Sequence, residues 1–229
     1  MKINGLQKLT LLDYPEHTAC TVFLAGCDLR CPFCHNSELI SGSVPAVMDE
    51  EELFAFLSKR KGILDGVAFT GGEPLLRPEL PGVMKRIKEE GFLVKLDTNG
   101  THPDRLEGIL KEGLADYVAM DIKNSPERYA ETSGVESLDT GLISRSISLI
   151  ISSGAAHEFR TTVTAQLHSE ESFGKIGPWI EGADRYFLQA FADRDTVVYA
   201  GFSAPDKETL EAYADIVRPY VNSVGVRGV

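Results

Sequence analysis

Short β-branched or aromatic runs alternate with longer amphipathic segments about six times along this chain, and that alternation limits the folds open to it more than any other feature. The strand candidates are "ACTVFLAG", "GVAFTGG", "FLVKLDTNG", "YVAMDIK", "EFRTTVT" and "RYFLQAF". The helix candidates begin with "MDEEELFAFLSKRKGIL", in which Leu53, Phe56 and Leu57 share a face, and continue with "RPELPGVMKRIKEEG", "PDRLEGILKEG" and "TGLISRSISLIISSG". They end with "SEESFGKIGPWIEGA" and "DKETLEAYADIVRPYV", where Leu210, Tyr213, Val217 and Tyr220 recur at helical spacing. Strands separated by helices have room for a crossover, so they pair in parallel with right-handed connections. About six such units predict an α/β fold, a partial (β/α)6 barrel of parallel strands, with residues 1–229 forming a single domain. The tail "NSVGVRGV" adds a candidate edge strand.

The unusual residues fall where these strands end. A three-cysteine loop follows the first, "TGGEP" the second and "DTNG" the third, while the fourth runs into "MDIK". Arg160 lies within the fifth, and the sixth ends in "LQAF". Loops at that face of a βα barrel converge, so one pocket is expected to collect thiols, a Gly-Gly turn, carboxylates, a lysine and an arginine.

Of four cysteines, Cys20 lies inside an apolar strand candidate and reads as a small buried hydrophobe. Cys27, Cys31 and Cys34 are too close together for a disulfide framework and suit metal ligation instead. A closed structural zinc site wants four ligands, with only His35 conveniently placed as the fourth. A [4Fe-4S] cluster held by three thiolates leaves one iron open to a substrate or cofactor, and it fits the count of three better. His35 and Asn36 read more simply as residues that cap or orient the segment that follows.

Gly71 and Gly72 present bare backbone, whose amide and carbonyl groups can bond an amino-acid moiety without obstruction. A valine at position 72 is therefore expected to block such a ligand while sparing metal binding. Asn99-Gly100 is a turn signal. Asp97, Thr98 and Asp121 place hard oxygens on neighbouring strand ends, which suits a cation or a ribose hydroxyl. Lys123 and Arg160 sit in largely apolar strands and need partners; Asp97, Asp121, Glu73 or an anionic cofactor carboxylate could supply them.

The formal net charge of -11 repels polyphosphate, and the scattered Lys and Arg form no evident basic patch, so no nucleic acid is expected as partner. With no apolar run near the roughly 20 residues a span needs and no signal-peptide pattern, no membrane association is expected. The reading is a soluble cytoplasmic protein whose partner is another protein or a small molecule.

C-x3-C-x2-C with Phe33 before the last cysteine, followed by "TGGEP", resembles the signature of the radical S-adenosylmethionine (SAM) superfamily. More narrowly, "CDLRCPFCHN", "FTGGEPLL", "KLDTNG", "AMDIK" and "EFRTTV" resemble the glycyl-radical-enzyme activating enzymes. The opening "INGLQKLTLLDYP" is similar to the anaerobic ribonucleoside-triphosphate reductase activating proteins. The resemblance implies a radical SAM barrel and an oxidoreductase that reductively cleaves SAM to a 5'-deoxyadenosyl radical, then generates a glycyl radical on a partner enzyme. Anaerobic ribonucleotide reductase would be that partner, with flavodoxin or ferredoxin as electron donor. It further implies that Cys27, Cys31 and Cys34 ligate a [4Fe-4S] cluster. Phe33, Gly71, Gly72, Glu73, Asp97, Thr98, Asp121, Lys123 and Arg160 would surround SAM, with a monovalent cation at Asp97, Thr98 and Asp121. Small-molecule enzymes such as the 7-carboxy-7-deazaguanine synthases share nearly every one of these motifs and stand as the alternative. Unlike many relatives the chain has no cysteines for a second cluster, and Gln189 and Phe191 stand where some relatives place a histidine.

Overall fold

The computed structural model describes residues Met1–Val229. Its main sheet has eight strands: β2 (Gly5–Thr10), β3 (Ala19–Leu24), β5 (Gly66–Gly71), β6 (Leu93–Thr98), β7 (Tyr117–Asp121), β8 (Ala156–Val163), β9 (Tyr186–Ala190) and β10 (Val224–Arg227). They pair in that spatial order. Neighbours from β3 to β10 are parallel, and β2 runs antiparallel along β3. The edge strands β2 and β10 do not pair with each other, so the sheet is open. The six expected strands and the tail strand are all present. β2 is an addition, and it left little trace in the sequence because only Thr10 of its six residues is fully buried.

Helices α2 (Glu50–Ser58), α3 (Leu80–Glu89), α4 (Pro103–Lys111), α6 (Thr140–Ser153), α7 (Glu170–Trp179) and α8 (Lys207–Val217) fall within the amphipathic segments. α1 (Ser37–Ile40) and α5 (Tyr129–Ser133) are shorter than the periodicity of a sequence reveals. The first expected helix begins later than the pattern suggested. Met48–Asp49 form strand β4 against β1 (Lys2–Ile3), and Asp49 then caps α2 by accepting from the Glu52 backbone N–H while the Glu52 carboxylate reaches back to the Asp49 N–H. Its buried face is Leu53, Phe54 and Leu57 rather than one containing Phe56, which is half-buried and lies under the Arg60 guanidinium.

Period-two alternation assigns each strand's side chains to two layers. Cys20, Val22 and Leu24 of β3, Val67 and Phe69 of β5, Val94 and Leu96 of β6, and Val118 and Met120 of β7 join the helices in one apolar cluster of 41 buried residues. The intervening Thr21, Thr70, Lys95, Asp97, Asp121 and Arg160 belong to the other face, where the cavity lies. No helix is long and apolar enough to cross a membrane.

Leu96 is fully buried on the helix-packed face. Leu96→Ala is expected to cost about 2–5 kcal/mol, seen as a lower urea midpoint with an unchanged slope in an equilibrium denaturation of the metal-free protein.

Candidate functional site

The inner face of the sheet opens into a cavity of about 370 Å³, inside the roughly 300–1,000 Å³ common for small-molecule sites. Cys27, Cys31, Phe33 and Cys34 line it from the loop after β3, and Gly71 and Gly72 from the end of β5. Asp97 and Thr98 enter from β6, Asp121 and Lys123 from β7 and just beyond it, and Arg160 from β8. Glu73 is the exception among the expected residues. It is fully buried behind the wall.

All four thiols are free. Cys20 packs on the helix side of β3 and cannot face the cavity. Burial pushes the Cys27 thiol up to about 11 and the Cys31 thiol up to about 12, so both hold their protons until a metal displaces them. The donor set fits an iron–sulfur cluster: three soft sulfurs from one loop reach one cavity beside the cationic Lys123, which favours both thiolates. A zinc site closed by His35 fits less well. Its Nε2 lies 2.7 Å from the Ala192 carbonyl oxygen, and its ring stacks on Phe191 at 5.4 Å. Asn36 makes no side-chain cap to the helix it precedes; its amide donates to the Gly71 carbonyl at 3.1 Å and so ties the cysteine loop to the glycine turn.

That turn and that loop interlock. Gly72 N–H donates to Leu24 O at 2.8 Å and Glu73 N–H to Gly26 O at 2.7 Å, leaving carbonyl acceptors, the right groups for a ligand ammonium, as what the turn can offer. The glycine at position 72 has a different cause from the one expected. A Cβ there would stand 2.1 Å from Gly26 O and 3.3 Å from the Cys27 Cβ, so the bare backbone makes room for the cysteine loop. Gly71, at φ +120°, has both a disfavoured conformation for other residues and a Cβ position 2.4 Å from Leu24 O.

Behind this wall, the Glu73 carboxylate accepts from Leu75 N–H at 3.0 Å, Thr98 Oγ1 at 2.9 Å and Asn99 N–H at 2.7 Å. Burial pushes its pKa up to about 7 against those three donors. Glu73 therefore braces β5 against β6 and does not reach a ligand directly.

Lys123, Arg160, Asp97 and Asp121 satisfy one another. Arg160 bonds Asp121 through Nε at 3.0 Å and lies 3.3 Å from Asp97, while Lys123 bonds Asp121 at 2.9 Å and the fully buried Lys95 bonds Asp97. Burial works to raise both carboxyl pKa values, yet Arg160 and Lys95 around Asp97, and Lys123 and Arg160 around Asp121, hold them below the usual range. Asp97 and Asp121, the carboxylates expected near a monovalent cation, are thus paired with ammonium and guanidinium groups, and the Thr98 hydroxyl is turned toward Glu73.

Some contributors had no separate signal in the sequence. Asp13 lines the cavity and accepts from Thr21 at 2.5 Å, although it lies in the connection after β2, outside the repeat. Lys95 was hidden inside an apolar run. Asn99, read as a turn residue, lines the cavity, as does Gln189, whereas Phe191 packs with Phe33 and Leu167.

Residues 21–140 match the family profile of the radical SAM superfamily. Over 235 residues, covering 99% of this chain and 96% of its relative, the sequence is 30% identical to a Methanocaldococcus jannaschii protein provisionally named a glycyl-radical enzyme activating enzyme. It is 37% identical over 128 residues to the pyruvate formate-lyase-activating enzyme of Clostridium pasteurianum, across 54% of this chain and 52% of that protein. A 7-carboxy-7-deazaguanine synthase of Methanopyrus kandleri is 34% identical over 122 residues, 44% of this chain and 48% of its own. Among solved structures, Streptococcus suis SuiB bound to S-adenosylmethionine superposes with a TM-score of 0.71 at 15% identity, over 91% of this chain and 52% of that one, a likeness of fold alone.

Two substitutions test the wall. Glu73→Gln turns an amide N–H toward a backbone donor and is expected to cost about 1–3 kcal/mol of stability in urea unfolding at neutral pH. Gly72→Val forces the cysteine loop away from Gly26, so iron bound after anaerobic reconstitution is expected to fall well below the wild-type level. Normal iron content in that variant would show that the loop is free to move.

Proposed function

Because this chain belongs to the radical SAM superfamily, we propose that it is a glycyl-radical-enzyme activating enzyme whose active site is the cavity at the strand ends. The observation that carries this reading is the likeness to the Methanocaldococcus jannaschii activating protein along almost the whole chain. The likeness to 7-carboxy-7-deazaguanine synthases is partial, spanning from 34% to 68% of it. When bound, the [4Fe-4S] cluster and SAM supply a one-electron reductive cleavage that yields methionine and a 5'-deoxyadenosyl radical, which takes a hydrogen atom from the substrate.

Cys27, Cys31 and Cys34, which line one cavity, would hold the cluster through their thiolates. Backbone carbonyls at Gly71 and Gly72 accept from the SAM ammonium. Lys123 and Arg160, oriented by Asp121 and Asp97, attract the carboxylate and the ribose oxygens. Phe33, 4% exposed, offers an apolar edge beside the adenine. Thr98 acts through Glu73 to keep β6 in register with the glycine turn. The substrate in this reading is a glycine Cα of a partner glycyl radical enzyme. Anaerobic ribonucleotide reductase is favoured by the opening "INGLQKLTLLDYP", and the electron comes from flavodoxin or ferredoxin.

Cys27→Ala, Cys31→Ala or Cys34→Ala is expected to abolish SAM cleavage, while Cys20→Ala retains the cluster. Electron paramagnetic resonance after mixing reduced protein, SAM and the glycyl radical enzymes of the source genome should give the doublet of a glycine Cα radical. No radical with any of them, together with deuterium transfer from a labelled metabolite into 5'-deoxyadenosine, would move the assignment to the small-molecule class.

A further inference from the structure

Asn99, 5% exposed, follows β6 and turns its side chain toward the cysteine loop. Its orientation is fixed by two donors. Thr101 N–H at 2.9 Å and Thr101 Oγ1 at 2.7 Å both point to Asn99 Oδ1, which identifies that atom as the oxygen and leaves Nδ2 as the group facing the loop. One Nδ2 hydrogen meets Asp28 Oδ1 at 2.9 Å, and the other is directed at Cys27 Sγ at 3.8 Å, within the longer reach of a bond to sulfur. The second Asp28 oxygen lies 3.3 Å from His102 Nε2. The Leu29 N–H donates to the same sulfur at 3.4 Å. Cys27 thus collects two N–H donors, and no hydrogen bond to Cys31 or Cys34 sulfur accompanies them.

We propose that Asn99 is a positioning residue that sets the reduction potential of the cluster through an N–H···S hydrogen bond to the Cys27 thiolate. This rests on the reading of Cys27 as a cluster ligand. The redox step is the gain of one electron from the external ferredoxin- or flavodoxin-type donor, with no bond to the protein formed or broken. Added charge spreads onto the cysteine sulfurs, so a donor aimed at one of them stabilises the reduced state more than the oxidised state and raises the potential. The asymmetry distinguishes the three ligands: Cys27 is the electronically adjusted one, and the other two are left without such donors. Asn99 does so without being a ligand, and Thr101 and Asp28 hold its amide in place.

The test is a potentiometric titration of reconstituted wild type, Asn99→Leu and Asn99→Ser, monitored by the paramagnetic signal of the reduced cluster, with iron and sulfide measured on each sample. Leucine keeps the branched outline and loses the donor; serine keeps the turn-forming character and lacks the reach. Removing the bond is expected to lower the equilibrium constant for reduction about tenfold, a shift of about 59 mV to more negative potential for a one-electron couple. An unchanged or more positive midpoint in a fully loaded variant overturns the proposal, as does failure of both variants to hold a cluster, which assigns Asn99 a scaffolding role. A wild-type protein that binds no cluster fails at the prior reading of the cysteines, an outcome recognisable from the iron analysis alone.

Discussion

A strand in this sheet has two faces, and the helices claim one of them completely. The 41-residue apolar cluster between sheet and helices leaves no place for an unpaired charge, and the uncharged Thr161 on the helix side is satisfied by the Ile122 carbonyl and the Tyr186 hydroxyl. The Lys, Arg, Asp and Glu side chains of β6, β7 and β8 therefore belong to the opposite face. There the charges must neutralise one another, because an isolated buried ion is prohibitively costly while a paired and hydrogen-bonded one is tolerated. Lys95, Asp97, Arg160, Asp121 and Lys123 form one continuous set across β6, β7 and β8. Glu158 extends it, accepting from Tyr117 at 3.1 Å and pairing with Arg227 of β10 at 3.1 Å.

This floor is built before any ligand arrives. Arg160 is held by two carboxylates on two strands, so its orientation does not depend on a bound anion. Preorganisation of that kind lowers the reorganisation needed when charge enters the cavity. The cysteine loop, in contrast, is irregular chain, and its position depends on bonds to other segments. Gly26 accepts from Glu73, Gly71 accepts from Asn36, and Arg30 N–H donates to Ser133 O at 2.8 Å. A rigid charged floor and a laced-on loop carrying the thiols make up the two halves of the site.

Most of this architecture was legible in the sequence because alternation is a strong signal. Six βα units, the tail strand and the gathering of thiols, glycines and charges at one end of the sheet follow from period and position alone. What could not be read was which atoms face which. Glu73 stands beside two cavity-lining glycines in sequence, yet the turn sends its carboxylate backward under Asn99. Gly72 reads as space for a ligand and proves to be space for Gly26. Carboxylates suited to a cation turn out to be matched by lysine and arginine, since a list of residues gives the charges but not their pairing. β2 escaped notice because an edge strand with mostly exposed side chains has no apolar face to announce it.

The cysteine loop is also fastened from far along the chain. His35 meets the Ala192 carbonyl, and the Ser37 hydroxyl donates to the Thr196 carbonyl, contacts that span 157 and 159 residues. A ribosome delivers the thiols early and their anchors late. While the chain is being made, the three cysteines therefore emerge long before the segment that steadies them, and the stretch between includes β6, β7 and β8 with the carboxylates that hold Arg160. The order of synthesis then matters for any metal these thiols take up: the loop is fastened by both contacts only after translation has passed residue 196.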